Sequence, residues 1–236
     1  MFFTLAARIR ATVSSLGTLD AALYGVDRVL RPMTGGWCRL TSYLLVAQPV
    51  PPPPHRHIPP NSAFTFRKID TDEIRSLRFP RPQEAIERRL DQDCMCFAAF
   101  REDELIAFVW LITSDYLEDE VRCRFRPVPI ERCAWDFDVY VDPGYRLGRT
   151  FARLWQTAHT WLHEQGIQWT MSRISSFNTN SIASHRRLGA QFVGRALFLQ
   201  AGKVQIACSS LGPLFHVSRD SVPLISVPAP RACSHS

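Results

Sequence analysis

Residues 133–141 (CAWDFDVYV) alternate as a strand, Asp142-Pro143-Gly144 closes it, and a helical pattern follows at once. From Arg149 to Gln165 the apolar residues Phe151, Leu154, Trp155, Ala158 and Leu162 recur at helical spacing, and Gly166 stops the run. Ile167–Ile174 reads as the next strand. Strand, tight turn and helix in that order confine the chain to a layered α/β architecture. They also leave the first amides of the helix without internal partners. Those donors and the helix dipole form an anion site suited to a pyrophosphate. Arg146 and Arg149 add side-chain donors for phosphate oxygens, although an ordinary strand–turn–helix with solvated arginines has the same residues.

The flanking sequence supplies the rest of the sheet. Phe64–Ile69 alternates as a strand, Thr71-Asp72-Glu73 starts a helix, and residues 82–90 (PQEAIERRL) form another. Cys94–Phe100 and Leu105–Ile112 are apolar runs of strand length, joined through Arg101-Glu102-Asp103-Glu104 as a hairpin without the usual glycine. Thr179–Leu188 is a helix ending at Gly189, and Gln191–Gln200 with Lys203–Ser209 closes the pattern as a strand pair. The expected order is β-α-α-β-β-β-α-β-α-β-β with mixed strand directions. The Pro- and Ser-rich residues after 212 read as a weakly ordered tail.

The run Pro49-Val50-Pro51-Pro52-Pro53-Pro54, continued to Pro60, is a stiff spacer that sets off residues 1–48. Within that segment Leu19, Ala22, Leu23, Val26, Val29 and Leu30 mark an amphipathic helix, with Asp20, Asp27 and Arg28 on its other side. Trp37 to Val46 follows as a strand candidate. Docking of the helix in cis is the default expectation, with a partner or weak membrane-surface contact as the alternatives. Arg8 and Arg10 interrupt the first apolar stretch, so it is too short and charged for a signal-peptide core or a spanning helix. Its lack of acids also fits an organelle transit peptide, the minor alternative.

The formal net charge is +6, and Lys68 and Lys203 are the only lysines. No basic cluster is interleaved with aromatics, so the charge does not indicate nucleic-acid binding. Seven cysteines lack paired metal-ligand spacing and fit a reducing, cytoplasmic setting. His159 and His163 lie four apart but have no third ligand in the sequence, so they read as surface histidines and no metal is expected.

Two segments carry a resemblance. The first is Val141-Asp142-Pro143-Gly144-Tyr145-Arg146-Leu147-Gly148-Arg149-Thr150-Phe151. The second is Asn178-Thr179-Asn180-Ser181, His185, then Leu188-Gly189-Ala190. In this order, separated by one helix and one strand and preceded by a hairpin, they resemble the GNAT superfamily of N-acetyltransferases over about residues 63–210. The resemblance implies a mixed, mostly antiparallel sheet with splayed central strands, flanked by helices, to which the N-terminal helix is an appendage. The domains it suggests are 1–48, a linker 49–62, the catalytic domain 63–212 and the tail 213–236. The family pattern has small residues where Arg149 and Phe151 stand here, and Gly148 sits one place early.

The resemblance also implies an activity: acyl transfer from acetyl-CoA or another acyl-CoA to a small-molecule or peptide amine. The cofactor would be held by Val139, Val141, Arg146, Leu147, Gly148, Arg149, Thr150, Phe151, Asn178 and Ser181. Asn178 is equally a helix N-cap. His185 takes the place of a tyrosine that protonates the departing thiolate, and is alternatively a packing histidine. Asp136 and Asp138 share a strand face by alternation and are both candidate bases for the amine's proton; Asp138, nearer the acyl end in the implied geometry, is preferred, with a solvated face as the plainer reading. Donor delivery by an acyl-carrier protein and a non-catalytic binding module are the alternative functions. The acceptor loops are 71–92 and 113–132, and a homodimer is compatible with the fold.

Overall fold

A computed structural model of the chain describes residues 16–52, 63–146 and 149–230. In chain order the helices are α1 (Thr18–Met33), α2 (Thr71–Ser76), α3 (Gln83–Leu90), α4 (Thr150–Glu164) and α5 (Thr179–Arg187). The strands are β1 (Cys38–Pro49), β2 (Phe64–Ile69), β3 (Met95–Arg101), β4 (Glu104–Ile112), β5 (Tyr116–Leu117) and β6 (Arg124–Val128). They continue as β7 (Cys133–Val141), β8 (Trp169–Ser175), β9 (Gln191–Ala201), β10 (Val204–Ser209), β11 (Phe215–Ser218) and β12 (Leu224–Pro228). The chain divides into two compact units, the first made of Met1–Gln48, Leu117–Arg126 and Arg173–Ser236, the second of Pro49–Tyr116 and Pro127–Ser172.

In the second unit the strand order is β2-β3-β4-β7-β8. Every pairing there is antiparallel except the parallel one between β7 and β8. The central strands β3 and β4 are near-continuous apolar runs because both of their faces are covered. α4 lies across β2, β3 and β4. Its buried face carries Leu154, Trp155, Ala158, His159 and Leu162, the helical stripe expected from sequence. His159 is therefore a core histidine, 6% exposed and tilted against the Trp155 ring at 5.1 Å, which corrects the surface reading; His163 is exposed.

The hairpin between β3 and β4 turns on Glu102 and Asp103, with Glu102 at φ 55. A side chain in the left-handed region carries a steric cost that glycine does not. Glu102→Gly is expected to raise stability by about 0.5 kcal/mol, the net of relieved strain and greater unfolded-state freedom. Urea denaturation checks this.

The first unit holds β1 antiparallel to β9, then β10 and β11. Tyr43, Leu45, Val46 and Ala47 of β1 are wholly buried, so the strand Cys38–Pro49 belongs to a packed sheet. Four residues of β11 pair with β10, and β12 pairs in a small sheet with β6. Residues 213–228, expected to be weakly ordered, thus contain two strands. Phe215 and Val217 alternate with His216 and Ser218, a period-two pattern that the neighbouring prolines mask. Of the proline run, residues 49–52 are described; 53–62 lie outside the described residues.

α1 docks in cis by its polar side. Asp20 is buried and accepts hydrogen bonds from the Arg195 guanidinium, Asp27 Oδ1 accepts from the Leu40 amide at 3.0 Å, and Tyr24 meets Phe177 edge-on. The apolar residues Leu19, Val26, Val29 and Met33 stay exposed. Among the described residues no helix is long and apolar enough to cross a membrane.

Candidate active site

β7 changes character halfway along. Cys133, Ala134, Trp135 and Asp136 are almost completely buried, whereas Asp138 to Val141 are half-buried. Its parallel register with β8 covers Cys133↔Trp169, Ala134↔Thr170 and Trp135↔Met171. Beyond Trp135, among the described residues, β7 keeps one strand neighbour, β4. Among the described pairings its other edge from Phe137 to Val141 has no strand partner, and such an edge presents backbone donors and acceptors to an extended ligand.

A bulge re-aims the strand at this point. Trp110 pairs with Phe137 and Phe108 with Tyr140, so Val109 faces two residues, Asp138 and Val139. Asp138 takes up the distortion at φ 46. Its carboxylate receives Arg81 Nε at 3.0 and 2.9 Å, the Arg81 Nη2 group, and Arg89 Nη1 at 2.6 Å. The Arg89 guanidinium also lies over the Trp110 and Phe137 rings, at 5.3 and 5.4 Å. Asp138 therefore shares the Phe137 side of the strand. Asp136, by alternation, faces the other way. The expected common face of the two acids is corrected: the extra residue of the bulge breaks the period. With both oxygens engaged by guanidinium donors, Asp138 has the surroundings of an anchor for the bulge.

The turn after β7 is built locally. Asp142 Oδ1 accepts from the Gly144 amide at 2.8 Å, and the Tyr145 amide donates to the Asp142 carbonyl at 2.9 Å. Arg146 folds back, its Nε donating to the Val141 carbonyl at 2.9 Å. α4 then begins after Arg149, whose carbonyl accepts from the Arg153 amide. The amides of Thr150, Phe151 and Ala152 precede that ladder and remain available as donors. Phe151, where the family pattern has a small residue, is half-buried with its ring edge-on to Trp155 at 6.4 Å. Leu147 and Gly148 lie outside the described residues.

Asn178, Ser181 and His185 belong to the first unit. Asn178 caps α5: its Oδ1 accepts from the Ser181 amide at 3.1 Å, which leaves the amide nitrogen of the side chain to donate elsewhere. His185 is buried, with Nδ1 2.9 Å from the Ser181 carbonyl. A carbonyl only accepts, so Nδ1 carries the proton and Nε2 of the neutral ring is an acceptor. Delivering a proton to sulfur from this ring requires the imidazolium form.

Sequence reasoning missed Glu118 altogether. Its side chain is fully buried in the first unit and forms a two-toothed pair with Arg173, Nε–Oε2 2.9 Å and Nη2–Oε1 2.7 Å. The Tyr43 hydroxyl reaches Glu118 at 3.4 Å and Glu120 at 3.1 Å. Burial, followed by the Glu118 charge, pushes that phenol well above its ordinary pKa and keeps it a neutral donor. One Glu within the acidic run Glu118-Asp119-Glu120 gives no signal of this. Arg122 in the same loop is spent on the Lys203 and Ser218 carbonyls.

The buried thiols are no nucleophiles at neutral pH. Burial pushes Cys96 and Cys123 well up and Cys133 up to about 11.

Comparison with known proteins decides the family. The family model for the acetyltransferase (GNAT) family matches residues 64–190, more than half of the chain. The chain belongs to the GNAT family. A search of curated proteins gives no match. Among solved structures, it resembles a tandem GNAT protein from the clavulanic acid biosynthesis pathway at 14% identity and a TM-score of 0.49. The match covers 69% of this chain and 53% of that one, so this GNAT chain spans about half the tandem protein's length. It also resembles the aminoglycoside acetyltransferase AAC(6')-Iy, solved with a CoA-containing bisubstrate analogue, at 22% identity, 54% and 90% coverage and a TM-score of 0.41. A functionally unknown conserved protein from Staphylococcus epidermidis gives 7% identity, 74% and 67% coverage and a TM-score of 0.47.

Proposed function

We propose that this GNAT chain is an N-acyltransferase that moves an acyl group, most simply acetyl, from CoA to an amine by direct attack. The observation that carries the reading is the open edge of β7, which runs into a capped turn and a helix with uncommitted amides. An extended pantetheine arm with two amides matches such an edge as an added strand would. A pyrophosphate matches the first-turn amides of α4, with Arg146 and Arg149 at the rim. The residues present fit the group. Val139 and Val141 would offer backbone partners, and Thr150 and Phe151 their amides.

The chain's own contribution to the reaction is positioning and charge placement. Backbone donors of that edge would polarise the thioester carbonyl while a neutral amine attacks it; the C–S bond then breaks to release CoA, and the proton shed by the amine passes to solvent. The roles proposed for the first unit are a side-chain amide donor from Asn178, support from Ser181, and a proton source for the leaving thiolate from the imidazolium of His185. Asp138 enters as the anchor of the bulge. The depressed reactivity of the buried thiols supports transfer without a covalent enzyme intermediate, and the free cysteines support a cytoplasmic setting. Aminoglycosides, named for a structural relative, make polyamines with several hydroxyls a first acceptor class to screen.

Equilibrium binding of acetyl-CoA and longer acyl-CoAs tests the reading. Arg146→Ala and Arg149→Ala are each expected to weaken binding about tenfold. Asn178→Asp keeps the α5 cap and removes the amide donor, so KM for the donor is expected to rise with stability unchanged. Absence of binding by every acyl-CoA tried removes the proposal.

A further inference from the structure

We propose that the first unit carries a second ligand site, a groove for a small amphipathic anion on the side of α5 away from Ser181 and His185. The groove has a volume of about 640 Å³ and is bounded by α1, α5 and β9. That is within the usual range for small-molecule sites. Thr179, Ile182, Ala183 and Arg186 face it at helical spacing, whereas Ser181 and His185 occupy another face of the same helix.

Three features select the ligand. One stretch of the wall is apolar, formed by Leu44, Ile182 and Val193, beside polar lining from Thr179 and Ser210. At the floor, Ser176 lines the groove, is 1% exposed, and its Oγ has no hydrogen-bond partner. Buried hydroxyls are nearly always satisfied, and leaving one unsatisfied costs about 1–3 kcal/mol. At the rim, Arg186 lies over the Phe192 ring at 5.0 Å and, among the described residues, pairs with no carboxylate. The other cation, Arg195, is already neutralised by Asp20. An apolar tail with an anionic head complements this set. Residues 1–15, next in sequence to Leu16 on the groove wall, carry Arg8 and Arg10 and no acid, so their charge opposes the rim.

Octanoate and octyl phosphate are the probes, titrated into the full chain by calorimetry, with octanol as the neutral control. Both anions are expected to bind more tightly than octanol, and to perturb the amide resonances of Ile182 and Val193. The tighter of the two identifies the head group. Arg186→Gln is expected to erase the preference for anions, a loss of about tenfold. Ser176→Ala is expected to leave the free protein as stable or more so, while weakening the ligand. Ala183→Trp fills the groove from an exposed helix position and is expected to abolish binding. Octanoate binding that survives Ala183→Trp, or binding that acetyl-CoA displaces by direct competition, overturns the proposal, as does no binding at all. Acyl-CoA binding is read separately, so failure here leaves the acyltransferase reading standing.

Discussion

Asp138→Asn is expected to cost about 3 kcal/mol of stability, with a matching fall in urea midpoint. Asparagine keeps the size of the side chain and tolerates the left-handed backbone at φ 46, so the change isolates the charge. What it leaves behind decides the size of the effect. The Arg89 side chain is 5% exposed, and removing the Asp138 charge takes away that counter-charge where water cannot replace it. Arg81, 29% exposed, can turn to solvent and contributes less. The double variant Asp138→Asn with Arg89→Met is expected to recover a large part of the loss, because the buried guanidinium goes with it. The same variant separates anchor from base. An anchor lowers stability and spreads the activity loss over KM and kcat as the bulge relaxes. A general base drops kcat a hundredfold or so while the urea midpoint holds, and that result would remove the anchor role.

Glu118→Gln is expected to cost on the order of 3 kcal/mol, for the same reason in the other unit. The Glu118 side chain is fully enclosed and neutralises Arg173, whose guanidinium sits over the Tyr43 ring at 4.9 Å. Glutamine preserves one acceptor for the Tyr43 hydroxyl but removes the buried charge that faces Arg173, leaving it the more distant and exposed Glu120 at 3.9 Å. Glu120 accepts from both Tyr43 and Arg39 but is 46% exposed on its side chain, and Glu120→Gln is expected to stay within about 0.5 kcal/mol. Thermal unfolding of the two variants side by side checks the contrast. Equal effects would mean that burial of the carboxylate is not what matters.

Short-range chemistry was readable before any coordinates. The break at Asp142-Pro143-Gly144, the α4 stripe and the Asn178 cap each rest on contacts within four residues or on one helical period, and such patterns survive as sequence spacing. Those same spacings carried the family resemblance over about residues 63–210, beside the 64–190 that the family model matches. Other features depended on partners far away. Asp138 was assigned by alternation to the face of Asp136, and only its arginines, 57 and 49 residues distant, with the bulge between them, turn it over. Residues 38–49 became a core strand because β9 is there to pair with them. The Pro- and Ser-rich tail gained its strands from β10 and β6, whose free edges no local pattern announces. α1 was correctly a helix by periodicity, yet which side it buries was set by Arg195, 175 residues from Asp20. The sequence therefore determined the helices and the strand–turn–helix order around Asp142-Pro143-Gly144, because backbone propensity and capping are local. The tertiary structure decided which charged groups are held and which are free to react, because pairing and burial are properties of neighbours that the chain meets only once folded.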